Sequence, residues 1–139
     1  MNLKEKFKQL AEDRGWRFVY ARRDYQNLHE VTDFISDEMQ EAGKGETVLF
    51  LDPIVRRRED VGQVRYSGNL MVLTQSDLDD SYEDRTKNYI DPLINDVMGG
   101  LANELRCDFD IDEWVSIELI NIFDFNADGI SVRFNLRGY

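Results

Sequence analysis

One cysteine (Cys107), one histidine (His29) and two prolines (Pro53 and Pro92) stand in a chain of 139 residues. A lone cysteine excludes an internal disulfide framework and fits a reducing compartment. A lone histidine, in a polar stretch beside Glu30 and far in sequence from Cys107, gives a zinc site or a Cys-His nucleophile nothing local to build on. Uninterrupted apolar runs are missing too: none approaches the roughly 18–20 residues of a membrane span. No phosphate-cradling loop is present, because Gly43-Lys44-Gly45 lacks both the spacing and the Lys-Ser/Thr ending. Residues 1–8, MNLKEKFK, read as an amphipathic helix rather than a signal peptide, since charge breaks any apolar core region.

What is present is apolar and acidic. Apolar residues make up 42% and aromatics 12% of the chain, enough for one globular domain spanning 1–139 with a real core. The net charge of −11 is unevenly spread. Residues 1–75 carry 13 acids and 12 bases, whereas residues 76–113 carry 12 acids against only Arg85, Lys87 and Arg106. Such a segment repels phosphate backbones and disfavours tight nucleic-acid binding. It is either a solvated helix face that keeps the protein soluble or a negative wall to which DNA and acidic partners do not adhere.

Periodicity supplies the elements. Leu3, Phe7, Leu10 and Ala11 lie at helical spacing before Gly15. Residues 16–20 (WRFVY) alternate as a strand does. Val31, Phe34, Ile35 and Met39 predict a helix from His29 to Ala42, although a loop with a strand fragment also fits. Residues 46–55 (ETVLFLDPIV) and 63–74 predict two strands, with Pro53 marking an edge or bulge and residues 56–62 (RRREDVG) a charged hairpin tip. Ser76, with Asp79 three residues on, has the form of a helix start. The stripe from Tyr89 to Leu105 is helical, with a break or kink expected near Ile90, where Asp91-Pro92 resembles a cap and first-turn proline, and a second helix from there to about Arg106. Gly99-Gly100 within it suggest close approach to a sheet. Residues 114–125 and 130–137 form a final hairpin, with Gly129 offering positive φ at the turn. The whole predicts an α+β fold, an antiparallel sheet of about five strands with helices mainly on one face.

Chemistry-bearing patterns are few. Residues 124–129 (DFNADG) match the opening of a calcium loop, but the twelfth position would be Asn135 rather than glutamate, and strand follows instead of helix. A hairpin turn accounts for the same residues. Cys107, at the end of an amphipathic helix, reads as a small buried hydrophobe. Alternation across Asp108–Glu113 suggests solvent-facing acids around Phe109 and Ile111, not a catalytic dyad, which needs burial. No residue is assigned a catalytic, cofactor-binding or metal-binding role, and no enzyme is expected. Arg56, Arg57 and Arg58 form the one concentrated positive feature. They are either solvated and balanced by Glu59 and Asp60, or paired with Asp77, Asp79 and Asp80 of a neighbouring subunit, a head-to-tail contact that closes into rings.

An N-terminal helix, a charged-tip hairpin, an acidic helix pair and a final hairpin resemble the tail-terminator and tail-completion proteins of tailed phages. The residues that carry the likeness are 66–73 (YSGNLMVL) leading into 76–79 (SDLD), and 120–130 (INIFDFNADGI). The resemblance implies a virion protein of the tail neck, assembled in the host cytoplasm as a six- or twelvefold ring of itself. Its other partners would be neck, tail-tube or portal proteins, and it would act by assembly without turnover. A rival reading is a small acidic protein that mimics nucleic acid and blocks a basic partner.

Overall fold

A computed structural model describes residues 2–20, 28–59, 62–76, 81–120 and 127–138, with backbone alone over 28–33 and at 82. Three helices and six strands follow one another in the order α1 (Leu3–Asp13), β1 (Arg17–Tyr20), α2 (Leu28–Ala42), β2 (Thr47–Leu51), β3 (Val55–Arg58), β4 (Val64–Gln75), α3 (residues 82–105), β5 (Asp110–Leu119) and β6 (Ala127–Gly138). The α+β fold expected from the sequence is the fold observed.

The sheet is built on β4 and β6. Both alternate apolar and polar side chains, and they pair antiparallel over twelve residues, from Val64↔Gly138 to Gln75↔Ala127. Even-numbered positions of both strands therefore point to one face and odd-numbered positions to the other. The even face is packed: Leu70, Val72, Ile130, Val132, Phe134 and Leu136 join Phe7 and Leu10 of α1 and Ile90, Val97 and Leu101 of α3 in the main core. Phe134 sits at its centre, with its ring centroid 5.4 Å from that of Phe7 and 6.3 Å from that of Trp114. Opposite it in the register stands Gly68, where an added Cβ would come 3.0 Å from the ring.

β5 completes the sheet on one side, antiparallel to β6. On the other side of β4 lie β2 and β3, which together make one interrupted strand. Pro53 has no N–H to give, and the interruption falls around it. The neighbouring donors are still satisfied, since Asp52 N–H donates to Asn69 O at 3.0 Å and Ile54 N–H donates to the Tyr20 hydroxyl at 3.4 Å.

Several expectations need correction. The sheet has six strands, and β1 pairs parallel with β2, a partnership that local pattern does not encode. The helix from His29 to Ala42 is present as α2, and it packs on the odd face, where Ile35 and Met39 cover Val48, Phe50, Leu73 and Ala127. Helices thus occupy both faces, although α2 covers only one end of its own. Arg56, Arg57 and Arg58 lie in strand β3, not in the connecting tip; the chain turns after them, with Glu59 N–H donating to Gln63 O. No break occurs at Pro92. The helix runs through it because the turn before is widened, with Asp91 N–H bonded to Thr86 O, and a second wide turn spans Asn95–Leu101. A π turn of this kind displaces the carbonyl that a proline ring would otherwise strike. Ser81 caps the described start of α3, its Oγ accepting from Asp84 N–H at 3.2 Å, and Asp79 of the expected Ser76 start lies outside the described residues. Gly100 approaches the Arg14 side chain of α1 rather than the sheet. Cys107 is exposed. Gly129 lies within β6 opposite Leu73, without positive φ. Ala127, Asp128 and Gly129, expected in the turn, are part of β6, and the first three residues of the calcium-like motif, Asp124, Phe125 and Asn126, lie outside the described residues.

Gly129 is nevertheless indispensable, because an added Cβ there would overlap the carbonyl of Val72. Gly129→Ala is expected to cost about 3 kcal/mol or more, as backbone must move in the sheet centre. Gly99→Ala meets nothing within 4 Å and should stabilise by about 0.5–1 kcal/mol. Urea unfolding of both variants checks the contrast.

Candidate functional site on the open face of the sheet

Among the described residues, the odd face is covered by α2 only at the end near β1 and β2. Over the rest, the alternation that fills the core on one side presents Arg65, Ser67 and Asn69 from β4 and Ser131, Arg133, Asn135 and Arg137 from β6. Val55 and Arg57 of β3 join them along one border, and Glu113, Val115 and Ile117 of β5 along the other. A register shift between Ile111 and Glu113 lets consecutive residues Asp112 and Glu113 both reach arginines of this face.

An ion-pair chain fixes these side chains. Glu59 accepts from Arg65 Nε at 2.8 Å, and Asp112 accepts from Arg65 Nη1 at 2.7 Å and from Arg137 Nε at 2.7 Å. Arg65 also donates to Asn135 Oδ1 at 2.9 Å. Arg133 Nε donates to Glu113 at 2.6 Å. The Arg137 hydrogen bond, aided by that of Arg65, holds the Asp112 carboxyl below the ordinary carboxylate range, against a smaller opposing cost of desolvation. The Arg65 hydrogen bond does the same for Glu59, and the Arg65 and Arg137 guanidiniums are raised in return. Arg57 is left far more open, its side chain 76% exposed and its nearest carboxylate among the described residues, Glu59, 4.0 Å away. Arg56 stacks over the Tyr66 ring on the other side of β3.

Between the borders lies a shallow depression of about 250 Å³ lined by Val55, Ser67, Asn69, Glu113, Arg133 and Asn135. Its chemistry is that of recognition: guanidinium and amide donors, hydroxyls, and one carboxylate already engaged. Among the described residues no three His, Cys, Asp or Glu side chains gather as a metal site. The side chain of His29 and the carboxylates of Asp77, Asp79 and Asp80 lie outside the described residues, so the arginines of β3 are described without them. Asp128, the last oxygen donor of the calcium-like motif, is fully buried and paired with Arg85 at 3.0 Å, and Arg85 also donates to Ser76 Oγ at 2.9 Å.

The acids of Asp108–Glu113 are not simply solvated. Asp108 pairs with Lys6 at 3.0 Å, and Asp112 and Glu113 anchor the arginine network. Arg65, Arg133 and Arg137 escaped the sequence reading, yet the signal was there: every second residue from Arg65 to Asn69 and from Ser131 to Arg137 is polar while its neighbours feed the core. No protein-family model and no curated protein matches the chain.

Removing one partner of the buried pair should be costly. Asp128→Ala removes the buried carboxylate that faces Arg85 and is expected to lose about 3–5 kcal/mol, whereas the double variant Arg85→Met, Asp128→Leu should recover most of it. On the open face the expectation is a pH effect. Because the folded-state pKa of Asp112 is depressed, its contribution to stability is complete above the unfolded value and disappears as pH falls through the folded one. The stability gap between wild type and Asp112→Asn should therefore be constant above about pH 5 and close below about pH 4. Denaturant midpoints from pH 2.5 to 7 measure it.

Proposed function

We propose that this chain is a structural subunit that acts by assembly, as a tail-terminator or head–tail connector component of a tailed-phage neck, and not by catalysis. The observation that carries the reading is the segregation of charge to opposite faces. On the helical side Glu83, Asp84, Asp91, Asp96, Glu104 and Asp108 are all exposed, against only Lys87 and Arg106 among exposed bases of 81–108. On the open sheet face, four arginines (57, 65, 133 and 137) meet three carboxylates (Glu59, Asp112 and Glu113), while Arg56 and Arg58 extend from the edge strand β3 toward the other side. A molecule with one acidic and one arginine-rich face is complementary to itself, and head-to-tail contact of unlike faces closes into a ring.

The order of elements supports the tail-neck placement. In this reading the subunits form a six- or twelvefold ring that contacts neck, tail-tube or portal proteins in the virion, after assembly in the host cytoplasm. Asp77, Asp79 and Asp80 stand next to the acidic helix in sequence and are the proposed counterparts of Arg56, Arg57 and Arg58 across subunits. An acidic wall along the DNA path would repel phosphates and let the nucleic acid slide. The same exposed carboxylates support a second reading, a nucleic-acid mimic that binds a basic protein; the arginine-rich face is what that reading leaves unused.

Native mass spectrometry at high protein concentration separates them. A six- or twelvefold species is expected for the wild type, and the triple variant Arg56→Glu, Arg57→Glu, Arg58→Glu should stay monomeric with an unchanged circular dichroism spectrum. Normal assembly of the triple variant would sink the electrostatic contact.

A further inference from the structure

We infer that subunits join edge to edge, with β3 of one copy adding to the free side of β5 of the next, so that the sheet continues from subunit to subunit. The inference rests on the assembly reading and names its interface.

Three observations carry it. Among the described residues β3 pairs with β4 alone and β5 with β6 alone, so each leaves a row of backbone N–H and C=O groups without a ladder partner. The two borders are oppositely charged: β3 reads Val-Arg-Arg-Arg, whereas β5 carries Asp110, Asp112, Glu113 and Glu118. Their directions are also compatible. β3 is antiparallel to β4, β4 to β6, and β6 to β5, so β3 and β5 run in opposite senses. A neighbour related by rotation about an axis along the strands therefore brings its β3 antiparallel to β5 while keeping both open faces on the same side. A copy flipped to pair β5 with β5 would set acid against acid.

Apolar contact is available at the same border. Val115 and Ile117 are 51% and 67% exposed on the open face of β5, and Val55 is 41% exposed on the open face of β3. Docking β3 at about 4.8 Å would put Val55 and the stem of Arg57 alongside them. The partner is thus a second copy of this chain, and the register is set by the carboxylates that flank the apolar pair. Arg57, whose side chain is 76% exposed, is the side chain available for that contact.

Site-directed cross-linking tests this in a Cys107→Ser background. Protein carrying Arg57→Cys is mixed with protein carrying Val115→Cys or Ile117→Cys and treated with a short bis-maleimide. Met98→Cys, exposed on the acidic helix, serves as the control. Mixed dimers with Val115→Cys or Ile117→Cys, at least tenfold over the control, are the expected result. The double variant Val115→Lys, Ile117→Lys alters only exposed positions and should weaken association at least tenfold in sedimentation velocity without changing the circular dichroism. Assembly without these cross-links overturns the edge contact and leaves the assembly reading intact. A wild type that is monomeric at all concentrations, with no cross-link, overturns both. Cross-linking equal to the control, or a double lysine variant that assembles normally, likewise overturns the edge contact.

Discussion

The pairing of β4 with β6 is the constraint on which the rest of this molecule depends. Twelve consecutive residues of each strand are held in one register, and that register decides which side chains meet the helices. Because strand side chains alternate, a slip by one residue would carry Leu70, Val72, Ile130, Val132 and Phe134 out of the core and bury arginines in their place. Small residues lock the register at two points. Gly68 makes room for the Phe134 ring, and Gly129 lets the two backbones pass where any Cβ would overlap Val72. Asp128 then falls at a buried position opposite Thr74, and its ion pair with Arg85, reaching down from α3, helps make that burial tolerable. Sheet register, helix placement and the buried ion pair are thus mutually dependent.

Elements that are periodic over their own length were legible in the sequence. α1, β4, β6 and the stripe of α3 each carry their pattern within one segment, and each forms where the pattern places it. What stayed hidden depends on partners distant in sequence. Arg56–Arg58 look like a turn because they are polar, yet β4 offers them a ladder, and Pro53 conceals the fact that β2 and β3 are one strand with a gap. Pro92 reads as a helix break because proline cannot complete a normal turn; the wide turn before it removes the conflict without ending the helix. Ser76 has the form of a cap but spends its hydroxyl on Arg85. The arginines of the open face were written in plain alternation. They were passed over because polar positions of a strand read as solvent-facing, and nothing in a single strand shows that three of them share a carboxylate border.

Charge is distributed by layer. The acidic residues of α3 face solvent on one side of the molecule, and Arg57, Arg65, Arg133 and Arg137 gather on the other. The two populations are separated by the sheet and its core, so they do not neutralise one another within a subunit. Arg65 and Arg137 are held by Asp112, and their place on the surface is fixed, whereas Arg57 and Arg133 keep most of their surface in water. A fixed pair next to open ones gives an anion or an acidic surface a preformed target at little ordering cost. Exposed pairs of this kind contribute little to folding, which makes recognition the stronger reason for having them.

Free sheet edges sharpen that argument. An exposed strand of ten residues invites pairing with any extended chain, and soluble proteins blunt such edges with charge, bulges or short strands. Besides β1, two strands have a free side among the described residues, and both are blunted in part: β5 has a bulge and four carboxylates, and β3 is only four residues long with three arginines. These defences are of opposite sign. Each repels a copy of itself and attracts the other, so the devices that prevent indiscriminate stacking also select one directed contact. In the edge-to-edge arrangement, charge sets direction and encounter rate, and these fall as salt rises. The ladder hydrogen bonds and the Val115–Ile117 contact depend far less on salt, and they supply the hold. In the proposed ring, separating direction from strength in this way would let dilute subunits come together through their charges and stay joined after those charges are screened.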